Sequence, residues 1–237
     1  MVCVNLGRIG FCQGGQGMDD GSARKIPTHE VTYGRLRDLV LFGHLEPGQP
    51  VTIQGLIENL GAGMTPVREA IRRLTAEGAL VLQGNRRVVV PRLTLAALDQ
   101  MAFVRLAVEP HLAELAVPGL SAERIARLEA LDRGIDLAIA NGDVPGYLEG
   151  NHQFHFTLYD VSDAPVLGDI ARSLWLRFGP SLRVVAARYG AGSLPDQHGK
   201  ALAAMRSGDA DALACAIRDD IAQGVDQVRA ALAAGEI

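Results

Sequence analysis

Residues 65–78 read TPVREAIRRLTAEG. Val67, Ala70, Ile71 and Leu74 recur at helical spacing and mark one apolar face, which leaves Arg68, Arg72 and Arg73 on the opposite face. Thr65 is placed to cap this helix, Pro66 suits its first position, Glu69 falls in its first turn and Gly78 ends it. Arg68 and Arg72 are one turn apart, so their guanidinium groups can reach along the same groove. A guanidinium fork bonds the guanine edge at two points and also pairs with phosphate, the chemistry of a helix that reads duplex DNA. An arginine-rich helix is more often just a solvated face, so its neighbours decide.

On the N-terminal side, 27–43 show helical spacing at Val31, Leu36, Leu39, Val40 and Phe42, with Thr28 as N-cap. A turn follows at Glu46-Pro47-Gly48, and Thr52 then caps a short helix that ends at Gly61. On the C-terminal side, the apolar runs 79–82 and 87–90 are divided by Gln83-Gly84-Asn85-Arg86, a hairpin with its turn residues in place. Helix, helix, short turn, helix, hairpin is the order of a winged helix-turn-helix. Its DNA-facing set is Arg35, Thr65, Arg68, Arg72 and Arg73, with Asn85, Arg86 and Arg87 at the wing tip near the backbone or minor groove.

Beyond Pro91 six helical patterns follow without strands: 94–117, 121–140, 143–161, 165–189, 193–206 and 209–234. Their short connections predict an antiparallel six-helix bundle. The fold class is therefore mainly α: a leader over 1–25 (or an upstream start, with Met18 as the true one), a winged helix-turn-helix over 26–92, and an all-helical domain over 93–237.

Composition agrees. Of 237 residues 48% are hydrophobic and only 5% aromatic, with abundant Ala and Leu, which favours helix. The net charge of −4 argues against a nucleic-acid partner until it is divided. Between Arg24 and Arg92 ten basic side chains face six acidic ones, whereas from Leu93 onward 12 face 19. Only the front of the chain is suited to phosphate. No apolar run reaches the roughly 20 residues of a bilayer crossing, and the first residues lack the pattern of a signal peptide. Cys3, Cys12 and Cys215 have no metal-finger spacing and read as reduced thiols of a cytoplasmic protein.

The stretch 36–90 resembles the DNA-binding domain of the GntR family of bacterial transcriptional regulators. The match runs in order through Leu45, Pro47, Gly48, Leu60, Gly61, Thr65, Pro66, Val67, Arg68, Glu69, Ala70, Leu74, Glu77, Gly78, Asn85 and Arg86. It departs at Met64, where the family usually has Arg, and at Arg87, where the wing usually has Gly. The stretches VRLAVEPHLAELA (104–116), NHQFHFTLYDVSDAPVL (151–167) and QHGKALAAMRSGDADAL (197–213) are similar to the FadR-like branch with a C-terminal FCD ligand-sensing domain. The resemblance implies a regulator that binds an inverted-repeat operator as a homodimer, associates with the nucleoid when bound, and is released by a small organic acid.

The resemblance also implies a divalent cation held by Asn151, His155, His198 and Asp220, with Asp220 standing where the family has His. Asn151 and His155 are four apart and share a helix face. Imidazole favours zinc, nickel or manganese-like ions, and the carboxylate shifts preference toward harder ones. Taken without the family, His155 reads as a hydrogen-bonded histidine of the bundle. His152 is set to face elsewhere. Arg105 stands in the family's position for a buried arginine and suits a carboxylate effector; the plainer reading is a helical pair with Glu109. Arg172 and Trp175 are further candidates for the same pocket. Two other readings stay open: a metal-dependent enzyme with an accessory DNA-binding-like domain, and a DNA binder blind to ligands.

Overall fold

The computed structural model describes residues 28–84, 87–189 and 196–236. The expectations for the leader, Met18, Cys3, Cys12, Asn85, Arg86 and Ser193 lie outside those residues. The front half runs α1 (Thr28–Leu41), β1 (Val51–Thr52), α2 (Ile53–Leu60), α3 (Met64–Ala76), β2 (Val81–Gln83) and β3 (Arg87–Val89). Gly48, at φ 79°, makes the turn before β1 in a conformation that favours glycine. The Thr52 hydroxyl accepts from the Gly55 amide at 3.0 Å, as a cap should. Gly61 closes α2 in the left-handed region.

One local expectation is corrected. Helix α3 starts at Met64 with Gly63 as its cap, and no side chain caps it. Thr65 therefore sits inside the first turn, where the missing amide of Pro66 is still harmless because first-turn amides have no helical partner. The cap expected at Thr28 falls at the edge of the described residues. The hairpin forms as expected but is joined by a third strand. Val51 pairs with Val88 and Thr52 with Arg87, giving an antiparallel sheet in the order β1-β3-β2.

The back half contains α4 (Leu95–Ala116), α5 (Ala122–Asn141), α6 (Val144–Tyr159), α7 (Pro165–Tyr189), α8 (Gln197–Ser207) and α9 (Ala210–Ala233). Thr94, Ser121, Asp143 and Asp209 each accept an amide of the following first turn. Helix α8 starts later than its sequence pattern implied, because Asp196 is its cap and bonds the Gly199 amide. Helix α4 packs along α9, α5 along α6, α8 along α9, and α7 on α4.

The two halves are not insulated from each other. A continuous buried apolar cluster runs from Leu36 and Leu41 through Trp175 and Phe178 to Val228 and Ala231. The seam lies between α1 and α7. There Gly179 meets the backbone of Leu41 with no room for a Cβ, and Gly43 meets the stem of Arg183. No described helix is long and apolar enough to cross a membrane.

Candidate functional site

Two constellations carry chemistry. The first is the outer face of α3. Val67, Ala70, Ile71 and Leu74 are buried against the front core, so Arg68 and Arg72 are turned outward. Among the described residues Arg68 makes no ion pair. Arg72 is clamped to Glu69 at 2.6 and 3.0 Å on the same exposed face. Arg73 is engaged within the front half. It bonds Glu30 of α1 at 2.8 Å and lies over the Tyr33 ring at 3.7 Å, so it fastens α3 to α1. Tyr33 adds a second strap by donating to Glu77 at 2.9 Å. Burial, and then the Glu77 hydrogen bond, push the Tyr33 hydroxyl up to about 12. Arg35 donates to the Leu60 carbonyl at 3.3 Å and ties α1 to the end of α2. Thr65 and Met64 are exposed at the leading end of α3, and Arg87 is exposed on β3.

The second constellation lies at the centre of the bundle. Helix α6 supplies Asn151 and His155, α8 supplies His198, and α9 supplies Asp220. Asn151, His155 and His198 are buried, while Asp220 is partly open. His155 Nε2 lies 3.0 Å from one Asp220 oxygen and His198 Nε2 lies 3.8 Å from the other. One donor atom from each of these three residues falls within 4.8 Å of the others. Both Nε2 atoms are buried without a well-formed hydrogen bond, and that of His155 has only its 3.0 Å approach to Asp220. Unpaired imidazole nitrogens facing a carboxylate fit a divalent cation, whose bonds to such donors run to about 2 Å. Asn151, one turn from His155, lines the same cavity as Asp220.

Burial alone would raise the Asp220 carboxyl, but His155, His198 and Arg105 together hold it below the ordinary carboxylate range. Burial would likewise lower His198, yet Asp132 and Asp220 outweigh it and raise the ring. His198 is also stacked on Phe154, with centroids 4.1 Å apart.

Behind the histidines lies a network that sequence reasoning saw only in part. Glu109 is fully buried and accepts from Arg105 at 2.6 and 3.3 Å, from the Trp175 indole at 2.9 Å and from the Tyr159 hydroxyl at 2.9 Å. Tyr159 is in turn 3.0 Å from His155 Nδ1. The Arg105–Glu109 pair therefore exists, but as a buried ion pair with the guanidinium over the Trp175 and Phe178 rings. Burial would lower the Arg105 guanidinium; Glu109 outweighs it. Tyr159 follows His155 at the same i, i+4 spacing as Glu109 follows Arg105, a signal the sequence did contain. Asp132 on α5 reaches His198 at 3.3 Å from a separate helix, with no such signal.

Arg105, Tyr147, Asn151, Trp175, Phe178 and Asp220 are among the residues lining a cavity of about 30 Å³. Trp175 is thus confirmed as a lining residue. Arg172 is not: it is exposed, pairs with Asp160 and lies over the Phe156 ring. His152 faces away from the His155 cluster, packed against Phe42 just beyond α1, Phe156 and Trp175. Burial, then Arg37, His155 and Arg172, push its ring down to about 3.

Residues 28–90 match the family described as bacterial regulatory proteins, gntR family, and residues 100–223 match the FCD domain. The HTH-type transcriptional regulator McbR of Escherichia coli (strain K12) is 32% identical over 147 residues, covering 62% of this chain and 66% of McbR. The HTH-type transcriptional repressor RspR of the same strain is 23% identical over 148 residues, covering 62% of this chain and 65% of RspR. The chain thus matches just under two thirds of the length of these curated relatives. The solved structure of E. coli McbR/YncC superposes with a TM-score of 0.81 at 26% identity, covering 86% of this chain and 98% of that one. A Rhodococcus sp. RHA1 structure described as a GntR transcriptional regulator has a TM-score of 0.70 at 22% identity, over 86% and 98% of the two chains, and supports the fold alone.

Proposed function

The chain belongs to the GntR family of bacterial regulatory proteins, in the branch with an FCD domain, and from that premise we propose that it is a ligand-responsive repressor of a metabolic operon. It is a transcriptional regulator rather than an enzyme, as its relatives are. In this reading two copies place two α3 helices in successive major grooves about 34 Å apart, so the operator is a short inverted repeat. Arg68 reads a base edge. Arg72 exchanges Glu69 for the duplex, and Thr65 and Arg87 touch the backbone together with Asn85 and Arg86 of the turn. Arg35 and Arg73 act from behind, since their side chains hold α1 against α2 and α3. The site of action is the bacterial cytoplasm, on the nucleoid when bound. The name of RspR supports the repressing sense.

The bundle centre supplies the response. Asn151, His155, His198 and Asp220 hold a divalent cation such as zinc, nickel or manganese, which supplies positive charge to the cavity. A small organic acid then binds beside Arg105. Release from DNA requires only that the ligand favour the non-binding arrangement by a few kcal/mol.

The observation that carries the reading is the outward, unpaired Arg68 on a helix whose other face is locked into the front core. Fluorescence anisotropy on fragments from upstream of the chain's own gene tests it. Binding should weaken steeply with salt, and Arg68→Ala should cost about 1–3 kcal/mol with folding intact. No salt-sensitive binding to any such fragment ends the proposal. The small cavity favours the ligand-blind alternative, and thermal-shift screening of carboxylates decides between the two: no saturable stabilisation with any of them leaves a DNA binder without an effector.

A further inference from the structure

We propose that Tyr159 and Asp132 are positioning residues for the bundle centre: each stands against Nδ1 of one imidazole, so that both Nε2 atoms are left to a cation beside Asp220. This rests on the reading of that centre as a cation site, but its first test does not.

The polarity of the hydrogen bonds follows from counting protons. Glu109 is bonded by Arg105 through two nitrogens and by the Trp175 indole, all of which can only donate. As the partner of a buried guanidinium it accepts at both oxygens, so the Tyr159 hydroxyl gives it its only proton, at 2.9 Å. The phenol oxygen is then left as an acceptor toward His155 Nδ1 at 3.0 Å. Asp220 stands at the same distance from Nε2 and competes for the ring's proton, so a cation on Nε2 is what commits that proton to Nδ1. Asp132 imposes the same choice on His198 more directly, since a carboxylate 3.3 Å from Nδ1 can only accept.

Ring planes are fixed as well. Phe154 lies flat on His198, 17° from parallel, and His155 packs against Trp175 at 5.1 Å. A 180° flip would keep these planes but would take each Nδ1 away from its partner, Tyr159 or Asp132. The result is two buried nitrogens without a well-formed hydrogen bond, from two helices, facing the two oxygens of one aspartate. Hydrogen bonds that fix the outer nitrogen of a metal-binding histidine set its orientation and basicity. The two arms differ in kind: a phenol backed by Glu109 on α4, and a carboxylate on α5.

The test uses the full chain, ¹⁵N-labelled at histidine and stripped with EDTA. Long-range ¹H–¹⁵N correlation reads the tautomer of His198, which should carry Nδ1–H; a proton on Nε2 alone overturns that arm. Asp132→Ala should release this tautomer, and Asp132→Asn, which keeps an acceptor oxygen, should restore it. Calorimetric titration with zinc, nickel and manganese follows. Tyr159→Phe, which keeps the ring and its packing, and Asp132→Ala should weaken binding by about 10–100-fold, with Asp132→Asn close to the parent. Unchanged affinity in either variant overturns the positioning role of that residue. No uptake of any of the three ions by the parent, with the His198 tautomer as stated, overturns the cation reading and the Tyr159 arm and leaves the Asp132 arm standing.

Discussion

Gly179→Ala should uncouple the sensing bundle from the DNA-reading half. Helix α7 lines the cavity with Trp175 and Phe178 and turns Gly179 onto the last turn of α1. A Cβ there would lie closer to the Leu41 carbonyl oxygen than side-chain carbons come, and 3.3 Å from its carbonyl carbon and Cδ1. The obstructing atom is backbone at the C-terminal end of α1, so no rotamer change relieves it and α1 must part from α7. Overpacking of this kind costs about 1–3 kcal/mol, and contact with rigid backbone points to the upper end. Ala gains about 1 kcal/mol over Gly in a helix interior, which offsets part of that. The net loss is about 2 kcal/mol, or roughly 4–8 °C in Tm for domains of this size. Gly34→Ala on α1 is the control, because a Cβ there meets nothing within 4 Å. It should gain the helix-propensity term alone. Thermal unfolding of both variants separates clash from propensity, and operator binding with and without an effector reads the coupling. Equal Tm values for the two variants would mean that the seam yields freely, and the claim that α7 and α1 move together would fail.

Three shorter predictions follow from the same structure. Arg73→Ala should lower stability by about 1 kcal/mol, through loss of a half-exposed ion pair and a cation–π contact. A loss of operator affinity larger than that of Arg68→Ala would return Arg73 to the base-reading set. Tyr33 titrates near 12 in the fold against 10.0 as its ordinary value. The native state therefore keeps a proton that the unfolded chain gives up, so this contribution is whole below pH 10 and drains away toward pH 12. Urea midpoints of Tyr33→Phe should lack that alkaline decline; parallel curves for variant and parent would dismiss it. If the centre holds a cation, saturating zinc at 100 times Kd should stabilise the chain by about 2.7 kcal/mol. Replacing His155 and His198 together should abolish that gain but keep operator binding in the metal-free state; stoichiometric metal retained by this variant would refute the ligand assignment.

The front half was legible because its signals are local. Each of Gly48, Thr52, Gly61 and Gly78 marks an end or a turn in a way that needs only neighbouring residues to work. The α3 cap was misplaced because Thr65-Pro66 is a strong local signal, yet α3 is extended by one residue to Met64. Strand β1 was missed because two residues carry no period, and its pairing with Val88 and Arg87 is long-range. At the bundle centre the i, i+4 pairs on a single helix were readable, Asn151 with His155 among them. Asp132 was not, since its meeting with His198 depends on how α5 lies against α8. Arg73 shows the same limit in reverse. Its spacing puts it on the outer face, but Glu30 and Tyr33 come from another helix to claim it.

The size of the cavity constrains how any response can work. About 30 Å³ holds an ion or a water molecule, and a carboxylate with even a short carbon chain needs several times that volume. An effector that seats itself wholly inside therefore has to displace wall residues, and these stand on α4, α6, α7 and α9. Helix α4 is held by the bonds from Tyr159 of α6 and Trp175 of α7 to Glu109, whose charge Arg105 balances within the same helix. Helix α7 brings Trp175 and Phe178 to the wall and carries Gly179 and Arg183 into the seam with α1. Displacing Trp175 would strain its bond to Glu109 and its packing on His152, which touches Phe42 just beyond α1. Helix α1 in turn is strapped to α3 by Glu30–Arg73 and Tyr33–Glu77. A ligand that enlarges the cavity through α7 thus acts on the reading helix through packed atoms at every step, whereas one accommodated by α9 alone would leave α1 where it is.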